Sequence, residues 1–173
     1  MWFTALDQAA YTFAITHQQE FFWRTITILG DPITLAIIVI ALVLFIKERE
    51  SKLLLIATAS SALIISTVLK YGFDRVRPDG STLLTPAFPS GHALGATAVY
   101  GIIAYVLWKQ QYRWQAGLLL IIPLLVGISR VMLLEHWATD VLGGWIIGAL
   151  IVLVTIFSTK RLLRKSGTRY RGT

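Results

Sequence analysis

Five apolar runs separated by short polar breaks organise the chain: 33–46, 53–69, 93–108, 114–129 and 141–159. A bilayer-spanning helix needs about 17–25 predominantly apolar residues. Four of the runs reach or approach that length, and the first gains from Gly30 and its end residues. It opens through Asp31-Pro32, an N-cap followed by proline at the first helical position. Lipid offers no partner to a backbone N–H or C=O, so each run is expected to be a helix.

Residues 1–30 follow a different pattern. Phe3, Leu6, Ala10, Phe13 and Ala14 recur at helical spacing, opposite Asp7, Gln8, Gln18 and Gln19. That predicts an amphipathic helix lying on the interface with its polar face in water. Phe21, Phe22 and Trp23 then read as an aromatic anchor. A sixth span is the alternative, but it would enclose Glu20 and Arg24. The expected architecture is all-α: an integral membrane bundle of five or six transmembrane helices. It forms one domain over residues 1–173, with 1–30 interfacial and 160–173 a basic cytoplasmic tail.

Composition strengthens the membrane reading. Hydrophobic residues make up 55% of the 173 residues and charged residues 14%, against roughly 25% charged in soluble domains. The absence of cysteine excludes disulfides, thiol catalysis and cysteine-ligated metals. The first basic residue is Arg24, so the charged start of a signal peptide is missing.

The net charge of +7 is unevenly placed. Lys160, Arg161, Arg164, Lys165, Arg169 and Arg171 crowd the C-terminus and suit anionic headgroups. Nucleic-acid binding, the rival reading of such a tail, is disfavoured in so apolar a chain. Lys47, Arg49, Lys52, Lys109, Arg113 and the tail fall on one face, which the positive-inside rule assigns to the cytoplasm. Lys70, Arg75, Arg77 and Arg130 then face outward, against the trend, and need another reason to be there.

Chemistry supplies one. Lys70, Arg77 and Arg130 offer a point charge and two planar forks suited to phosphoryl oxygens. Ser90, Gly91 and His92 open the third apolar helix. There a hydroxyl, free N–H groups and the helix dipole favour an anion. His136 and Asp140 stand four apart, on one helical face if the last helix begins near His136. Asp140 can then accept the Nδ1 proton and leave Nε2 as the free lone pair, the logic of a nucleophile with its orienting partner.

Together, Lys70-x6-Arg77-Pro78, Pro89-Ser90-Gly91-His92 and Ser129-Arg130-x5-His136-x3-Asp140 resemble the three-part signature of the type-2 phosphatidic acid phosphatase family. That family also takes in soluble acid phosphatases and vanadium haloperoxidases. The resemblance covers residues 70–140 motif by motif and the flanking helices in kind only. It implies that His136 attacks phosphorus, that Asp140 holds its ring, and that His92 protonates the leaving oxygen and then deprotonates water. Lys70, Arg77, Arg130, Ser90 and Gly91 would hold the phosphoryl oxygens. It implies no metal and no other cofactor, and it implies a lipid phosphate as the partner, beside the surrounding membrane lipids. Candidates are undecaprenyl diphosphate, phosphatidylglycerol phosphate, phosphatidic acid and lipid A phosphates, met at the periplasmic or outer face of a bacterial inner membrane. The brevity of the chain and of the stretch between Pro78 and Pro89 leaves open what covers the site.

Blander readings apply elsewhere. His17 is expected to be solvated, Arg75 to contact headgroups, and Asp74 and Glu135 to balance local charge. Trp108, Trp114 and Trp137 read as interfacial belts, and Tyr71, Phe88 and Trp137 as candidates to line the lipid's path. Gly144 and Gly148 read as a close helix contact. A phosphotransferase would use the same residues. A small anion channel would explain Lys70, Arg77 and Arg130, but neither His92 nor the His136–Asp140 pair. A vanadate-dependent peroxidase would share the constellation, but its usual setting is soluble.

Overall fold

The computed structural model describes residues 4–17 and 19–165. All regular structure among them is helical: α1 (Thr4–Thr16), α2 (Glu20–Thr27), a 3-10 turn (Ile28–Gly30), α3 (Pro32–Phe45), α4 (Arg49–Phe73), α5 (Gly91–Lys109), α6 (Arg113–Leu119), α7 (Ile121–Met132) and α8 (Ala138–Lys165). Four spans, with α6 and α7 together making one, are long and apolar enough to cross a bilayer; a fifth is reached when α2, the 3-10 turn and α3 count as one path bent by 42°. The bend falls where Asp31 caps α3, its Oδ1 accepting from the Ile33 N–H at 2.8 Å, with Pro32 at the first helical position.

The fourth apolar run differs from a single straight helix. It breaks at Leu120, between α6 and α7. Pro123 is the physical cause: its ring cannot share a helix with the carbonyl four residues back, which is that of Leu119, the last residue of α6.

α5 is the central helix. Its small and mid-sized residues Ala93, Leu94, Ala96, Ala98 and Ile102 are buried. α8 packs closely along it at two glycines. A Cβ on Gly144 would sit 2.8 Å from the Ser90 carbonyl oxygen, and one on Gly148 would sit 2.7 Å from that of Leu94. Large apolar side chains point outward instead, among them Ile33, Ile37, Ile40 and Leu44 of α3 and Ile146, Leu150, Val154 and Phe157 of α8. An apolar exterior around a partly polar interior is the arrangement lipid selects.

The N-terminal segment corrects the amphipathic expectation in two ways. It forms two helices, and α1 is turned over. Asp7 and Ala14 are buried, whereas Leu6 and Phe13 are about half exposed. Asp7 points inward because partners await it there: Arg75 and Thr139. Phe3, Gln18, Arg169 and Arg171 lie outside the described residues.

Candidate active site

α4 runs past its apolar stretch to Phe73, and this carries Lys70 onto the last turn. Asp74 ends the helix in a left-handed conformation, φ 43°. The chain then folds back over the bundle through residues 74–90. Arg77 fastens this segment: its Nε donates to the Thr85 carbonyl at 2.6 Å and its Nη2 to Thr85 Oγ1 at 3.1 Å. Its Nη1 donates to the Glu135 carbonyl. Lys70 Nζ donates to the Pro86 carbonyl at 2.8 Å, and Arg77 Nη2 reaches the same oxygen at 3.3 Å. Glu135 does more than balance charge, since its carboxylate accepts from Ser81 at 2.6 Å and from Thr82 at 2.9 Å.

α8 begins at Ala138, two residues later than a shared helical face for His136 and Asp140 requires. His136 lies in the preceding turn. Asp140 folds back over that turn, and its Oδ2 accepts from the Trp137 N–H at 2.9 Å and lies 3.5 Å from His136 Nδ1. This is an approach rather than a formed hydrogen bond. His136 Nε2 lies 3.2 Å from Arg77 Nη1. A guanidinium can only donate, so in this contact Nε2 accepts, which corresponds to the tautomer with its proton on Nδ1, facing Asp140. His136 is almost wholly enclosed. Burial holds its imidazole well below the usual value, and the charges of Arg77, Arg130 and Lys70 push the same way. Burial also lowers the Arg77 guanidinium, with Glu135 and Asp140 opposing.

Five of the eight residues singled out by the motifs, Lys70, Arg77, Gly91, His92 and His136, line one cavity of about 500 Å³. Below them the cavity continues as an apolar groove walled by Leu35, Val39, Ile40, Ala62, Leu63 and Val99. The other three, Ser90, Arg130 and Asp140, are buried and do not line it. Arg130 lies in the last turn of α7 and donates from Nη1 to Thr27 Oγ1 at 2.9 Å. Its Nε, Ser90 Oγ and His136 Nδ1 are buried without a hydrogen-bond partner. Buried polar atoms rarely go unpaired, and when they do a ligand is one explanation.

Tyr71, Phe88 and Trp137 do not line the cavity. Phe88 packs edge-on against Phe73, with ring centres 4.9 Å apart. Trp137 donates from Nε1 to the Val76 carbonyl at 2.9 Å.

Three residues near the site were missed or misread from sequence. Asp31 caps α3 and also brings Oδ2 to 4.0 Å from His92 Nε2. Arg75 contacts Asp140 at 2.5 Å, where a headgroup contact was expected. Asp7 pairs with Arg75 at 2.6 Å. All three join positions far apart in sequence, and no local pattern announces such pairs.

Comparison with known proteins identifies the family. The profile of the PAP2 superfamily matches residues 51–164, a stretch that contains all three motifs. Phosphatidylglycerophosphatase B of Bacillus subtilis is 36% identical over 126 residues, or 68% of this chain and 62% of that protein. An undecaprenyl-diphosphatase of Sulfolobus acidocaldarius is 28% identical over 153 residues, or 83% of this chain and 66% of that protein. These matches thus cover a little under two thirds of each relative's own length. Among solved structures, the transmembrane PAP2-type phosphatidylglycerolphosphate phosphatase from Bacillus subtilis superposes with a TM-score of 0.81 at 30% identity, covering 97% of this chain and 89% of that one. The profile match and the shared all-helical membrane bundle establish that the chain belongs to the PAP2 superfamily.

Proposed function

We propose that the protein is a metal-independent lipid phosphatase that works through a phosphohistidine on His136. The observation that carries this reading is the single cavity that joins two cations and two imidazoles to an apolar groove. The polar end suits a phosphoryl group and the groove suits a hydrocarbon chain.

In the first step the Nε2 lone pair of His136 forms a bond to phosphorus, and the bond from phosphorus to the lipid oxygen breaks. His92 gives that oxygen its proton. In the second step water attacks phosphorus and passes a proton to His92. The nitrogen–phosphorus bond breaks and inorganic phosphate leaves. Incoming phosphoryl oxygens would draw the hydrogen bonds of Arg77 away from His136 Nε2 and free the attacking lone pair. Lys70, Arg77, Arg130, Ser90 and Gly91 would stabilise the negative charge of the transition state. The cavity lining contains cations and no carboxylate, a donor set that favours phosphate directly over phosphate bridged by a metal.

The candidate substrates are phosphatidylglycerol phosphate, undecaprenyl diphosphate, phosphatidic acid and lipid A phosphates. Lys47, Arg49, Lys52, Lys109, Arg113 and the basic residues of α8 mark the opposite end of the bundle as cytoplasmic, so the site faces the periplasm or exterior.

The test is phosphate release from a panel of these lipids by purified protein in detergent with EDTA present. Release from at least one lipid, lost in His136→Ala, is expected. Equal rates in wild type and His136→Ala overturn the nucleophile. Activity lost in EDTA and restored by magnesium overturns metal independence.

A further inference from the structure

Arg75 is the one outward-facing cation that the motifs leave without a task. It sits between the N-terminal helix and the carboxylate that faces the His136 ring. Its Nη1 donates to Asp140 Oδ1 at 2.5 Å and to Thr139 Oγ1 at 2.7 Å. Its Nη2 donates to Asp7 Oδ2 at 2.6 Å. Asp7 Oδ1 in turn accepts from the backbone N–H of Thr139 at 2.9 Å, satisfying a free donor at the start of α8. The guanidinium lies 5.9 Å from the centre of the Trp137 ring. Tyr11 of α1 packs on that ring at 5.8 Å and donates to the Asp79 carbonyl at 3.3 Å. The Asp140 side chain is fully enclosed and that of Asp7 is 4% exposed.

We propose that Arg75, held in place by Asp7, is a positioning residue for the Asp140–His136 pair, which makes the N-terminal helix part of the catalytic apparatus. The proposal rests on the reading of His136 as the nucleophile.

A carboxylate can turn about its last bond, and Asp140 is gripped at both oxygens. Arg75 holds Oδ1, and the Trp137 N–H holds Oδ2 on the side of His136. As the nitrogen–phosphorus bond forms, the imidazole gains positive charge. A carboxylate fixed at Nδ1 stabilises that charge without reorganising. With Arg75 gone, Oδ1 becomes an enclosed acceptor without a donor, and the carboxylate turns to find one. The planar fork matters too. Two nitrogens of one guanidinium serve two carboxylates at once, which a lysine ammonium cannot reproduce in the same geometry.

A purely structural staple between α1 and α8 would also use these contacts, so the test must read coupling. Arg75→Ala in the full-length protein is expected to lower kcat by roughly 10–100-fold, by analogy with the loss of an outer partner that orients a metal ligand, with KM changed less than about twofold. In an Asp140→Asn background the same change is expected to cost less than about threefold more, because the residue through which Arg75 acts is already disabled. Arg75→Lys should recover part of kcat. Asp7→Asn keeps the shape beside Thr139 and removes the charge that holds Arg75; it should lower kcat less than Arg75→Ala does. If Arg75→Ala does not fold, Arg75→Lys and Asp7→Asn carry the same double-mutant comparison. Equal fold-losses in the wild-type and Asp140→Asn backgrounds, or a lowered Tm with kcat intact, overturn the proposal. His136→Ala with wild-type turnover would overturn the nucleophile reading instead, so the two failures are distinguishable.

Discussion

The two ends of the bundle both carry basic residues and buried polar groups, yet they treat them differently. At the end with Glu48, Glu50 and Lys109, the buried Glu50 and Ser51 find partners in the more exposed Lys109 and Glu48. Lys109 Nζ lies 3.1 Å from Glu50 Oε1, and Ser51 Oγ donates to Glu48 Oε2 at 2.5 Å. Near the other end Ser90 Oγ and Arg130 Nε have no hydrogen-bond partner and His136 Nδ1 has only the 3.5 Å approach of Asp140, while a fourth such atom, Thr58 Oγ1, lies midway along α4. Lys70 and Arg77 meanwhile spend their donors on backbone carbonyls beside a cavity. A pairing that is complete holds a fold; one that is left incomplete next to a cavity suits a guest of the opposite charge. The count of positive residues does not separate the ends. What separates them is the cavity: the cations that line it, Lys70 and Arg77, have no carboxylate within ion-pair distance among the described residues, whereas Lys109 at the far end and Arg75 beside the cavity each have two.

The sharpest way to break this contrast is to remove the groups proposed to react at the cavity end. His136→Ala is expected to reduce phosphate release below detection while leaving insertion and thermal unfolding in detergent close to wild type. His92→Ala is expected to cost about 10²–10⁴-fold in kcat, the usual worth of a general acid and base. Arg130→Ala follows at about 10²–10³-fold, as for loss of a donor to developing negative charge. It also leaves Thr27 Oγ1 without its donor, so a lower Tm should accompany the slower turnover. If all three variants retain wild-type kcat, the unpaired atoms have a different meaning.

How far the sequence disclosed this contrast depends on the range of each signal. Lys70, Arg77, Gly91, His92 and His136 carry residue types and spacings that point to phosphate, and the fold brings them to one cavity. The five apolar runs mark the spans because lipid imposes one rule on every segment. The break before α7 does not show in hydropathy, by which 114–129 reads as one run; the signal that marks it is Pro123, whose steric conflict lies four residues upstream. The face of α1 was not legible. Asp7 looks polar and therefore outward until Arg75 and Thr139 are known to lie beneath it, 68 and 132 residues away. Buried ion pairs invert amphipathic patterns, and a local period carries no record of a distant partner.

The pH dependence sharpens the contrast further. His136 is held neutral by burial and by three cations, so its folded value lies below the unfolded value of about 6.5. A group depressed in this way contributes stability that is present above the unfolded value and fades as pH falls below it. Two outcomes are expected. Any acid limb of kcat/KM that belongs to His136 should fall well below pH 6.5. The Tm should also drop between about pH 7 and 5, and His136→Gln should drop less. A kcat/KM profile that falls at the ordinary imidazole value in wild type, together with identical Tm slopes in wild type and His136→Gln, would show that the enclosed ring titrates like a solvated one.

The smallest effect belongs to the complete end, and it is the control for all the others. Lys109→Ala removes the cation that answers Glu50 and Glu48. The Lys109 side chain is 25% exposed and that of Glu50 9%, so the pair is neither a solvated surface bridge nor a fully enclosed one. Water screens part of the attraction, and the uncompensated carboxylate can still reach solvent. A cost of about 1–2 kcal/mol in unfolding free energy is expected, with kcat and KM unchanged. Lys109→Met, which keeps the length of the chain and drops the charge, should cost no more. Unfolding in detergent followed by circular dichroism reads the first quantity, and phosphate release reads the second. A fall in kcat at constant KM would mean that α5, which carries Lys109 at one end and His92 at the other, transmits strain along its length. The ends would then be coupled, and pairing at one would help set the geometry of the other.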